Sequence, residues 1–73
     1  MQLRDEALLK RIGNRVKELR KVQNLTQDQL AFECGVMRSQ IVRIEGGSLN
    51  SSISSLYTIA KVLDVSVDEL CQE

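Results

Sequence analysis

Leu8, Leu9, Ile12, Val16, Leu19 and Gln23 fall within about 100° of one another when each residue advances about 100° around a helix. This spacing predicts a first amphipathic helix, which Asn24-Leu25-Thr26 breaks. Thr26-Gln27-Asp28-Gln29 then reads as a capping box, in which Thr26 accepts from a first-turn amide and Gln29 reaches back. The second helix turns Leu30, Ala31 and Cys34 inward and stops at Gly35, a residue that tolerates the left-handed turn ending a helix. Met37, Ile41 and Ile44 cluster on one side of a third helix, until Gly46-Gly47-Ser48 interrupts it. Ile53, Leu56, Ile59, Ala60 and Leu63 repeat at helical spacing in a fourth, with Ser51 or Ser52 as its cap and Tyr57 and Lys61 on its outward side. Ser66-Val67-Asp68-Glu69 is a second capping box and opens a short fifth helix containing Leu70.

Helices this short are marginal in isolation, so they must share a core. The expected core is Ile12, Val16, Leu19, Leu25, Leu30, Ala31, Cys34, Val36, Ile41, Ile44, Leu56, Ile59, Ala60, Leu63, Val65 and Leu70. With 73 residues there is material for one such core, giving a single domain over 1–73. One Tyr, one Phe and no Trp disfavour a β-sandwich, so the fold class is all-α. No apolar run is long enough to span a membrane and the first residues lack a signal-peptide pattern, so a cytoplasmic location is expected. Cys34 and Cys71 lie far apart without metal-ligand spacing, and both are read as reduced and structural.

Charge alters this picture by its distribution. The chain is neutral, with ten basic and ten acidic residues. Residues 1–24 hold seven bases against three acids, a net +4; residues 25–50 carry −1 and residues 51–73 carry −3. One end is therefore suited to facing a polyanion.

The second helix, the turn Gly35-Val36-Met37 and the third helix have the form of a helix-turn-helix. The residues carrying it are Leu25-Thr26-Gln27-Asp28-Gln29-Leu30-Ala31, Gly35-Val36, Ile41 through Ile44-Glu45, and the run from Ile59 to Leu70. Over about residues 9–71 they resemble the XRE family, the phage Cro and repressor type of DNA-binding domain. The resemblance implies a compact five-helix lambda-repressor-like fold with its motif at about residues 26–45, and a small transcriptional regulator without a cofactor. In size the chain is similar to restriction-modification controllers. Such a regulator is expected to bind a pseudo-palindromic operator in double-stranded DNA as a homodimer, the third helix lying in the major groove.

Helical geometry separately identifies what the third helix exposes. With Arg38 at 0°, Ser39 lies near 100°, Val42 near 40° and Arg43 near 140°, roughly opposite Ile41 and Ile44. An arginine fork fits the two acceptors of a guanine edge, serine donates or accepts, and valine can touch a thymine methyl. By resemblance, Arg38, Ser39, Val42 and Arg43 contact bases and Gln27 contacts phosphate, with Gln40 at the edge of the arc as a phosphate or base contact. Gln27 stands in the first turn of a helix, where free amides favour an anion, and Asn50 is a further phosphate candidate. The resemblance also implies a structural ion pair between Arg20 and Glu45, both on the rims of inward faces.

The chain departs from the family pattern at three places. Met37 occupies the cap position where Ser or Thr is common, and the loop 46–50 lacks a cation, which lowers sequence-independent affinity. Phe32, Leu49 and Tyr57 are apolar or aromatic at expected surface positions and together suggest a protein-facing patch. Dimer contacts are expected around Tyr57, Val62, Val65, Val67 and Leu70. Neutral charge leaves a rival function, an antitoxin or adaptor that uses the fold to bind protein. Enzymatic chemistry is not expected, because His is absent and no nucleophile–base pair, phosphate-cradling loop, metal cluster or small-molecule site is evident.

Overall fold

The computed structural model describes residues 6–48 and 53–71. They form α1 (Glu6–Val22), α2 (Gln27–Cys34), α3 (Arg38–Glu45), α4 (Ile53–Val62) and α5 (Val67–Cys71). The helices occur in the order and at the places that the apolar spacing predicts. Helix α1 packs on α3 and α5, α2 on α3 and α4, and α4 on α5.

The helix ends explain how so short a chain turns four times. Asn24, Gly35, Gly47 and Asp64 all have positive φ, and in each case the next residue donates its amide back to a carbonyl five positions earlier. These closing bonds are Leu25 to Arg20, Val36 to Ala31, Ser48 to Arg43 and Val65 to Ala60, the pattern of a Schellman terminus. Leu25, Val36 and Val65 thereby fold onto the core as partly buried residues. At Gly35, with φ of 69°, the bend sets the angle between α2 and α3.

Helix starts are defined by side chains. The Thr26 hydroxyl accepts from the Gln29 amide at 3.0 Å while the Gln29 side chain accepts from the Thr26 amide at 2.8 Å, completing the capping box. Ser66 caps α5 by accepting from the Glu69 amide at 3.2 Å. Met37 makes no side-chain cap at the start of α3. Ser51 and Ser52, the expected caps of α4, lie outside the described residues, as do Leu49 and Asn50.

Ile12, Val16, Leu30, Ala31, Ile41, Ile44, Leu56, Ile59, Ala60, Leu63 and Leu70 form the buried core. The other expected core residues, Leu19, Leu25, Cys34, Val36 and Val65, pack partly buried around it. Leu70 requires a correction: it was expected at a dimer surface as well as in the core, and it is 1% exposed. Its side chain closes the core beneath α5 and is inaccessible to a second copy. Gln23 also departs from the inward stripe of α1. It is exposed, and its amide donates to the Leu63 carbonyl at 2.7 Å, tying the end of α1 to that of α4.

Among the described residues, no helix is long and apolar enough to cross a membrane.

Candidate nucleic-acid interface

Ile41, Ile44 and Glu45 are the buried positions of α3, and that fixes what the helix shows to solvent. Arg38, Ser39, Val42 and Arg43 are all exposed. The arc inferred from helical geometry is therefore the outer face of α3, as expected. Gln40 sits half-buried at its edge. The Arg43 guanidinium has no ion-pair partner among the described residues, whereas Arg38 Nε stands 3.6 Å from Asp28 Oδ1 on α2.

Arg20 and Glu45 hold this helix in place. Arg20 Nε donates to Glu45 Oε2 at 2.6 Å and its Nη2 to Oε1 at 3.0 Å, a two-bonded pair joining the end of α1 to the end of α3. The remaining Nη1 donates to the Leu25 carbonyl at 2.9 Å, so the guanidinium also clamps the turn before α2. The hydrogen bond to Glu45 raises the Arg20 pKa above its ordinary value, against the opposing effect of burial. Arg20 is 8% exposed and Glu45 7%. Sequence geometry placed both on helix rims, and the fold closes over them.

Gln27 enters the same network. Its side-chain nitrogen donates to Glu45 Oε1 at 3.2 Å, leaving its second N–H available. Helix α2 therefore begins with a residue tied directly to the end of α3. Lys21, Thr26, Gln27, Asp28 and Arg38 line one open groove between the end of α1 and the starts of α2 and α3. Asn50, the third phosphate candidate, lies outside the described residues.

Sequence reasoning missed two features of this interface. Gly13, midway along α1, is buried where the backbone of α1 meets the end of α3. An isolated glycine within a helical pattern is the signal that marked it, since glycine there is otherwise unfavourable. Asp28 was read only as part of a capping motif, and its position opposite Arg38 depends on the angle between two helices.

At the other end, Tyr57 is 64% exposed, and Val62, Val65 and Val67 are half-buried against the core. Phe32 and Met37 are also exposed, as the sequence suggests for Phe32. Cys34 is partly buried, and burial together with the nearby Glu33 charge pushes its thiol pKa up. Among the described residues, no group of three His, Cys, Asp or Glu side chains could hold a metal.

Known proteins share this fold. A family model described as helix-turn-helix matches residues 16–70. An uncharacterized HTH-type transcriptional regulator of Archaeoglobus fulgidus is 39% identical over 56 residues, spanning 77% of this chain and 79% of that protein. The restriction-modification controller protein C.AhdI from Aeromonas hydrophila superposes with a TM-score of 0.81 at 38% identity, over 88% of this chain and 97% of its own. SinR, a master regulator for biofilm formation crystallised in complex with DNA, gives a TM-score of 0.77 at 39% identity, over 84% of this chain and 98% of its own.

Proposed function

The chain belongs to the XRE-type helix-turn-helix family, and on that footing we propose that it regulates transcription by binding double-stranded DNA as a homodimer with α3 in the major groove. The observation that carries this reading is the outer face of α3: Arg38, Ser39, Val42 and Arg43 exposed together on a helix whose opposite side is locked into the core. Bidentate arginine donors, a hydroxyl and a small apolar group are the chemistry that distinguishes base pairs by their major-groove edges. Gln27 and Gln40 are assigned to phosphate, with Asn50 as a further phosphate contact. Their contribution is positional, because phosphate contacts fix register and base contacts specify sequence.

The dimer face is assigned to Tyr57, Val62, Val65 and Val67. They lie on α4, α5 and the turn between them, leaving α2 and α3 for the duplex. A two-fold dimer would then read two half-sites about one helical turn of DNA apart.

Net neutrality supports the rival reading, a module that binds another protein. Selection from a random duplex library tests the two readings. Enrichment of a pseudo-palindrome with half-sites about 10 base pairs apart supports the regulator, and absence of any enriched sequence refutes it.

A further inference from the structure

Asp28 is an acid placed where a polyanion would approach. It occupies the first turn of α2 beside Gln27, with its side chain 77% exposed, on a chain with no net positive charge to offset it. A first-turn acid suits the positive end of the helix dipole, but that modest gain does not require an arginine opposite it. Thr26 and Gln29 already complete the capping box, and an exposed ion pair adds little to stability. The closest approach to Arg38 is nevertheless at one atom: Asp28 Oδ1 stands 3.6 Å from Nε. Nε has one N–H, and the four that remain on Nη1 and Nη2 form the outer fork of the guanidinium. That fork is the part that meets the O6 and N7 acceptors of guanine.

We propose that Asp28 is a positioning residue for base specificity, holding the Arg38 guanidinium by Nε so that its outer fork is presented to a guanine. The inference rests on the reading of α3 as the base-reading helix. Without this hold, the long Arg38 side chain can swing to a phosphate oxygen, which it can reach beside any sequence. The carboxylate thus acts in two ways. It repels the phosphate backbone at every site, and it directs one cation to one base. Exclusion of water on docking strengthens the pair, since the same separation gives a larger attraction where the effective dielectric is lower. Specificity therefore increases while sequence-independent affinity falls.

The test uses the full chain and a duplex that it selects from a random library, together with single-base-pair variants of that duplex, at one fixed salt concentration. Asp28→Asn is expected to weaken the preference at a single base pair by about fivefold, within the range of one bidentate contact, and to tighten binding to unrelated duplex by about twofold. Arg38→Ala is expected to abolish preference at that same base pair. The double variant should match Arg38→Ala in base preference, and Asp28→Glu should restore most of the preference. Thermal unfolding of each variant separates these effects from loss of fold. The proposal is overturned if Asp28→Asn keeps the full preference, loses it at a different base pair, or changes base preference further in the Arg38→Ala background. Failure of the unaltered chain to select any sequence instead refutes the regulator itself, and the inference with it.

Discussion

Gly13 lies so close beneath the end of α3 that a Cβ built there would stand 2.8 Å from the Glu45 carbonyl oxygen and would overlap that of Ile44. Glu45 is thus approached twice by α1, once by the backbone at Gly13 and once by the Arg20 guanidinium. The approach seats α3 directly on α1 and leaves its other side free.

Gly13→Ala is expected to destabilise the domain strongly. The obstructing atoms are main-chain carbonyls, which cannot rotate away, so overpacking costs about 3 kcal/mol or more. The better helix propensity of alanine returns about 1 kcal/mol. Thermal unfolding should show a midpoint lower by about 10 °C, given about 4–8 °C per kcal/mol for a domain of this size.

The Arg20–Glu45 pair should behave as a buried pair in which either partner alone is worse than neither. Removing one charge by Arg20→Ala or Glu45→Ala leaves the other uncompensated and is expected to cost about 3–5 kcal/mol. Replacing both by hydrophobic residues of similar volume, Arg20→Met with Glu45→Leu, should cost less than either single change. Denaturant unfolding of the single and double variants measures this coupling.

Gly35→Ala offers a contrast to Gly13→Ala. No atom lies within 4 Å of a Cβ at Gly35, so the penalty is that of a left-handed backbone at φ of 69°. A net loss of about 1 kcal/mol is expected once the reduced freedom of the unfolded chain is included. The same unfolding experiment should therefore rank Gly35→Ala well above Gly13→Ala in stability.

Cys34 should react slowly with alkylating reagents. Burial and the Glu33 charge disfavour its thiolate, so half-maximal reactivity should fall above the ordinary thiol value of about 8.5. Because the unfolded chain releases this proton at lower pH than the folded one, the group's contribution to stability is complete below the unfolded value. It is lost as pH rises through the folded value. Comparing the alkaline unfolding of the unaltered chain with that of Cys34→Ala isolates this contribution.

The helices and their core were legible because they depend on local spacing: apolar residues three and four apart, a capping box, and a glycine after a helix. The outer arc of α3 was legible for the same reason, since fixing Ile41 and Ile44 inward fixes Arg38 and Arg43 outward. Features set by the angle between helices were not. Asp28 meets Arg38, and Gly13 meets Glu45, only after α1, α2 and α3 have packed. The Arg20–Glu45 pair spans 25 positions and was reached through family resemblance, with rim geometry merely allowing it. Leu70 was assigned to both the core and a dimer face because α5, five residues long, is too short for periodicity to separate its sides. Asn24 and Asp64 adopt left-handed backbones usual for glycine, and their short polar side chains tolerate this better than most.

DNA binding by the combined Arg38→Ala and Arg43→Ala variant bears most directly on the function. Two bidentate base contacts at about 1–3 kcal/mol each predict affinity for the selected duplex reduced at least about 30-fold, with sequence preference largely gone. Both side chains are exposed, so the unfolding midpoint should stay within a few degrees of the unaltered chain. Unchanged affinity and unchanged preference in a folded double variant would contradict α3 as the reader of sequence.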